Sequence, residues 1–215
     1  MRPLIKLDSM KATMKTLSAI LICCSISTIQ MYGENIQRPE SENYVKGVEA
    51  LNEGNPEAAY TYLNAEINEH PDNGYAHCYM ALICNFCNDT KLALQALNSS
   101  LELIPEADTE YRSFAHYSRG VLLTNLKMWE RAEADLNEAI RLNPEDVENY
   151  KSRAQLYFET ERYEESLNDL TRALKLDSKA DVNDLVLQLM AVAPTSEFME
   201  RITATYQQLD QVTIH

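Results

Sequence analysis

The sequence predicts an all-α fold, an α-α superhelix in which helical hairpins stack into a solenoid. Three observations predict it. Pro71, Pro105 and Pro144 each close a similar run that starts at a leucine (Leu63, Leu97, Leu136), and a fourth run starts at Leu170 and ends on Ser178 instead of proline. The first two prolines are 34 residues apart and the next two 39, the same period plus five. A period in this range marks supersecondary units that bury their apolar faces only against one another. Small residues also recur in register. Gly47, Ala81, Gly120 and Ala154 occupy the middle of each first helix, and Ala59, Ala93, Ala132 and Ser166 open the packing face of each second helix. A leucine follows four residues later, and Glu66, Ser100, Ala139 and Ala173 come three beyond it. Residues seven apart share one helical face, and helices cross at roughly 8–10 Å only where side chains are small; Glu66 is the exception. Finally, 5 glycines and 7 prolines in 215 residues leave little room for long flexible tracts.

The elements follow in order. Residues 1–33 are expected to be a secretory leader. Leu17 to Ile29 is an uncharged, mostly apolar run preceded by Lys11 and Lys15 and followed by Glu34, the layout of a signal peptide. It is shorter than the roughly 20 residues that span a bilayer. Cleavage after Gly33 and cleavage after Ser27 both stay open. The expectation is export, to the periplasm or cell envelope or as a secreted protein. Cys23 and Cys24 add a lipid anchor as a second reading, although Ile22 stands where a small residue is usual before an acylated cysteine; an uncleaved leader is a third.

Residues 40–73 form the first and weakest hairpin, with Asn55 and Pro56 as N-cap and first-turn proline of its second helix. In the second, 74–107, Asn88 or Asp89 caps the helix that holds Leu92 to Leu101. The extra residues within 106–112 lengthen the next helix backwards, with Asp108 or Thr109 as its cap. The third hairpin is 113–146 and the fourth 147–180, with Trp129 and Tyr163 near the start of their second helices. Residues 181–215 make a divergent final hairpin that covers the end of the stack. Within it the apolar run Leu185 to Val192 is broken by Pro194, and Ser196 to Gln211 is an amphipathic helix capped at Thr195 or Ser196.

On these small and apolar sites, residues 40–178 resemble the tetratricopeptide repeat family. Departures are visible: the family's tryptophan near the front of each block is replaced by Asn43, His77, His116 and Tyr150, and the leucine before the small residue by Lys46, Met80, Arg119 and Arg153. The resemblance implies that the first helix of each hairpin lines a hollow inner face and that the partner is another protein or a peptide. Carried over position by position, the face contains Tyr44, Val48 and Leu51, then Tyr75, Cys78, Leu82, Asn85 and Phe86. It continues with Phe114, Tyr117, Val121 and Asn125, and then Lys151, Gln155 and Phe158. Exposed aromatics of this kind suit capture of a helix or extended segment, while packing within the stack is an equal use for any one of them. The Lys, Arg and Asn clamp with which some members of the family grip a terminal carboxylate is missing: Tyr44, Val48, Tyr79, Phe114 and Ser118 stand in its places.

The formal net charge is −14. Residues 1–33 contribute +3 (Arg2, Lys6, Lys11 and Lys15 against Asp8), which leaves −17 for the remainder. Such a body repels phosphate backbones, so nucleic acid is not an expected partner; a membrane is expected only through a lipid anchor or an uncleaved leader. Cys84 and Cys87 form a C-x-x-C with His77 and Cys78 upstream, which raises a thiol redox or zinc reading. Four such ligands spread over nearly three helical turns and cannot gather around one ion. A reactive thiol belongs at a helix start, whereas Cys84 falls near a helix end. Inert packing for Cys78 and Cys84 is the expectation, with a Cys84–Cys87 disulfide as the alternative in an oxidising compartment. His70, His77, His116 and His215 sit in no metalloprotease frame, and neither a phosphate loop nor a nucleophile elbow occurs. No enzyme activity, cofactor or metal is expected.

Overall fold

The computed structural model describes residues 36–193 and 195–212, so the leader read at 1–33 lies outside the described residues. Ten helices and no strand occur among them: α1 (Glu42–Asn52), α2 (Pro56–Glu69), α3 (Gly74–Phe86), α4 (Thr90–Leu103), α5 (Thr109–Asn125), α6 (Trp129–Leu142), α7 (Val147–Glu159), α8 (Tyr163–Leu176), α9 (Asn183–Val192) and α10 (Ser196–Val212). The fold class is all-α, with the helices paired into hairpins of the tetratricopeptide type. None of the described helices is long and apolar enough to cross a membrane. The chain divides into two compact units, the first ending at Asp108 and the second starting at Thr109. In the first, α1 packs on α2, α2 on α3 and α3 on α4. In the second, α5 to α10 pack in sequence, and α5 also touches α7.

The small residues sit where helices cross. Ala59, Ala93, Ala132, Ala139, Ala154, Ser166 and Ala173 are fully buried, as are the leucines Leu63 and Leu136. Two crossings are closest: a methyl group at Gly120 would stand 2.7 Å from Leu136 Cγ, and one at Gly47 would stand 2.7 Å from Leu63 Cγ. Glu66, the exception to the small-residue pattern, is buried too, and Asn73 Nδ2 donates to its Oε1 at 2.7 Å. The same Asn73 caps α3 by accepting from the Ala76 backbone N–H at 3.1 Å. The carboxylate therefore ties the end of the first hairpin to the start of the second.

The turn inside each hairpin repeats down to its backbone. Gly54, Asn88, Lys127 and Glu161 all take left-handed φ values, between 58° and 73°, at intervals of 34, 39 and 34 residues. The next residue's N–H reaches back five residues in every case: Asn55 to Ala50, Asp89 to Cys84, Met128 to Leu123 and Arg162 to Tyr157, at 2.7–2.9 Å. This is the helix-terminating motif that a left-handed residue permits. The residue that closes one helix then caps the next. Asn55 and Asp89 do so through their side chains, accepting from Ala58 and Leu92. Met128 and Arg162 make no such bond.

The residues inserted after Pro105 lengthen α5 to 17 residues, against 11 for α1 and 13 for α3 and α7. At the far end of the second unit, Val186, Leu189 and Ile202 are fully buried, and Phe198 is nearly so. They close a core shared with Ala154, Leu170 and Ala173. Thr195 caps α10 through Oγ1, which accepts from Phe198 N–H at 3.1 Å.

Candidate functional site

The positions just before the small residues carry a set of side-chain pairs that sequence reading recorded only as departures. In three of the four hairpins the residue before the small site of the first helix pairs with the residue 16 positions later on the second. Arg119 donates from Nε and Nη2 to the two carboxylate oxygens of Asp135 at 2.7 and 2.8 Å, and Arg153 does the same to Asp169 at 2.7 and 2.8 Å. In the first hairpin the pair is Lys46 over the ring of Tyr62, 5.7 Å from its centroid. In the second the positions hold Met80 and Ala96, both buried. The two positions thus hold an ion pair, a cation–π contact or two buried apolar residues. Asp135 also accepts from His116 Nδ1 at 2.9 Å. Burial would raise its pKa, but the hydrogen bonds from Arg119 and His116 and their charges outweigh that and hold it below the usual carboxylate value.

The substituted tryptophan positions have a use as well. His77 Nε2 lies 3.0 Å from the Pro71 carbonyl, and Tyr150 Oη donates to the Pro144 carbonyl at 3.0 Å. Both fasten a first helix to the proline turn that precedes it. Asn43 donates to Glu69 at 3.1 Å.

These pairs occupy one side of α5, while Phe114, Tyr117, Val121 and Asn125 follow one another three or four residues apart along another stripe. Phe114 and Tyr117 stack, with ring centroids 6.5 Å apart and planes 23° from parallel. Both are half-buried, as is Val121, and Asn125 is exposed. Ser152 of α7 lies close enough to the Tyr117 hydroxyl to act on it. Burial pushes the Tyr117 pKa up to about 12; Ser152 opposes the rise, and the nearby carboxylates of Glu148 and Asp146 add to it. On α7, Lys151 donates to Glu148 at 2.8 Å, and Gln155 Nε2 donates to Glu159 at 2.9 Å. Phe158 has a different setting: it packs against the core closed by α9 and α10, with its ring 5.7 Å from that of Tyr163.

In the first unit the expected face residues divide in the same manner. Tyr44 and Tyr75 are buried, at 7% and 5% exposure. Tyr44 lies 6.1 Å from the ring of Tyr79. Tyr75 Oη donates to Asp108 Oδ2 at 2.9 Å, and Arg38 donates to both Asp108 oxygens at 3.1 and 3.2 Å. Asp108 therefore anchors the segment before α1. Leu82 and Phe86, four residues apart near the end of α3, are half-buried, and Asn85 is exposed. Cys78 and Cys84 are buried free thiols and Cys87 is an exposed one. Burial, with smaller contributions from Asp89 and Cys87, pushes the Cys84 thiol up to about 11, opposite to the shift that activates a nucleophilic or redox cysteine. No group of three or more His, Cys, Asp or Glu side chains among the described residues is arranged to hold a metal ion.

Residues 113–146 and 148–179 each match a tetratricopeptide repeat family model. Among curated relatives, human tetratricopeptide repeat protein 6 is 24% identical over 143 residues, which cover 66% of this chain and 26% of that protein. The lipoprotein NlpI homolog of Haemophilus influenzae is 30% identical over 87 residues, 40% of this chain and 28% of that protein. The chain thus spans about a quarter of the length of the curated relatives it matches. Among solved structures, MamA from Desulfovibrio magneticus RS-1 superposes with a TM-score of 0.64 at 19% identity, covering 79% of this chain and 94% of that one. The chain carries tetratricopeptide repeats.

Proposed function

We propose that this repeat protein is a non-enzymatic interaction module of the cell envelope, and that it holds a peptide or helix of another protein against the first helices of its hairpins. The observation that carries the reading is the Phe114–Tyr117 pair. Two stacked, half-buried rings lie on one helix, with half-buried Val121 four residues beyond Tyr117, and Ser152 of the next hairpin acts on the Tyr117 hydroxyl. Rigid aromatics present large contact area with little rotamer freedom to lose, which is why they dominate binding energy at protein interfaces. Tetratricopeptide repeats in general bind proteins or peptides, in keeping with this use. In the first unit Leu82, Asn85 and Phe86 are the matching surface residues, while Tyr44 and Tyr75 support the helices beneath. Envelope placement is supported by the basic and apolar layout of residues 1–33.

Photocrosslinking tests the reading. A photoreactive amino acid at Val121 or Asn125 is expected to trap a polypeptide in intact cells, and the adduct is expected to vanish in the Phe114→Ala/Tyr117→Ala variant. Equal trapping from exposed Arg131 on α6, or an adduct that survives the double substitution, would count against this face.

One observation favours a second placement. The 30% identity to a lipoprotein homolog adds to Cys23 and Cys24, either of which can carry an acyl chain. Radiolabelled palmitate incorporated by the wild type and lost in Cys23→Ser/Cys24→Ser would establish that anchor; no incorporation would count against it.

A further inference from the structure

We propose that the Phe114–Tyr117 face selects a segment that carries Lys or Arg among apolar residues. The proposal rests on the peptide-binding reading above and specifies the ligand of that same site. Four basic residues lie on α5 and α7, and their charges are already engaged. Arg119 is bound by Asp135, Arg153 by Asp169 and Lys151 by Glu148, and Arg112 acts on Glu138. The acidic side is not matched in the same way. Asp146 stands at the N-cap of α7, where its side chain accepts from the Glu148 backbone N–H at 3.0 Å. Its charge and that of Glu148 both reach Tyr117. Glu159, exposed at the other end of α7, accepts a hydrogen bond from neutral Gln155. Among the described residues neither Asp146 nor Glu159 has an ion-pair partner within 4.0 Å. Burial and the neighbouring Glu148 charge raise the Asp146 pKa, while the backbone N–H groups of Glu148 and Asn149 and the charge of Lys151 oppose the rise without cancelling it.

The rings point the same way. The face of an aromatic ring carries negative potential and attracts a guanidinium or ammonium, while its area takes apolar side chains. A ligand with both kinds of side chain satisfies the stacked rings and the acidic border together. A net charge of −14 favours the approach of such a segment and disfavours an acidic one.

The test uses the full chain and three synthetic peptides of one apolar sequence, bearing Lys, Gln or Glu at the same positions, titrated by fluorescence anisotropy. The Lys peptide is expected to bind at least about tenfold more tightly than the Gln peptide, and the Glu peptide most weakly, a preference that fades with added salt. Asp146→Asn together with Glu159→Gln is expected to bring the Lys and Gln peptides close to equal affinity. Asparagine caps a helix as well as aspartate does, so folding is retained, and Glu159→Gln alone gives a partial effect that needs no change at the cap. Equal binding of the Lys and Gln peptides, with both lost in Phe114→Ala/Tyr117→Ala, would overturn the charge selection and leave the peptide-binding face standing. Lys-peptide binding unaffected by that double substitution, or no binding by any of the three, would overturn the face itself and this proposal with it.

Discussion

At the scale of single residues, two positions show how closely the hairpins are fitted. Gly120 faces Leu136 with no room for even a methyl group at the observed spacing. Ala154, at the equivalent place in the next hairpin, shows that the crossing adapts to one carbon. A branched side chain asks for more. Gly120→Val is expected to destabilise the fold by about 1–3 kcal/mol through overpacking, read as a lower urea midpoint, while Gly120→Ala costs less. Asp135 gives a prediction with a pH signature. Its folded pKa lies below the ordinary value, so the stabilisation it supplies is complete above the unfolded pKa of about 4 and is lost as pH falls through the folded value. Asp135→Asn is expected to cost about 1–3 kcal/mol at pH 7, and that cost should shrink below pH of about 4; a difference constant from pH 7 to pH 3 would contradict the assignment. The double replacement Arg119→Met/Asp135→Ala copies the apolar slot of Met80 and Ala96. It is expected to cost less than the sum of its single changes, since each single change strands a partly buried charge.

At the scale of the helical hairpin, the left-handed turn residue is a point of stored strain. Gly54 takes φ of 73° without a side chain, and Asn88 tolerates the region well, but Lys127 and Glu161 hold φ of 58° and 60° with long side chains. A left-handed conformation costs an ordinary L-residue roughly 1–2 kcal/mol, of which glycine gives back part through its greater freedom when unfolded. Lys127→Gly and Glu161→Gly should each raise the melting temperature, by about 0.5–1 kcal/mol of stability; a lower melting temperature would show that these side chains matter more than the backbone they strain. The same turn leaves α6 uncapped at Met128. Met128→Asp is expected to add about 1 kcal/mol by supplying the bond that Asp89 makes one hairpin earlier. The residue types point to such caps: the sequence offers Asn55 for one helix and Asn88 or Asp89 for the other, and Asn55 and Asp89 accept the capping bonds. The left-handed residues of the third and fourth hairpins are not legible in this way, because Lys127 and Glu161 carry no turn signature, whereas Gly54 and Asn88 do.

At the scale of the whole molecule, the hairpins could be read from the sequence because small residues at fixed intervals leave one geometric solution: Ala93, Ala132 and Ala173 had to face helix crossings, and they are fully buried. The face was harder to read. Helical spacing assigns a residue to a stripe but does not reveal which neighbour covers that stripe. Tyr75 sits under Asp108, which belongs to the long connection after the second hairpin, and Phe158 is taken up by the core that the divergent last hairpin closes. Phe114, Tyr117 and Phe158 are all half-buried, but only Phe158 belongs to that core. The Arg–Asp pairs were in plain view as Arg119 and Arg153, 34 residues apart, with Asp135 and Asp169 each 16 further on; the signal lay in the joint spacing of two residue types.

Calorimetric titration of the protein trapped from Val121 or Asn125 against the wild type and Phe114→Ala/Tyr117→Ala tests the central claim most directly. An affinity lowered by at least about tenfold in the double variant, with the same helical circular dichroism as the wild type, is the result expected of a binding face. Equal affinities at equal helicity would contradict it and move the partner to another surface of the repeats.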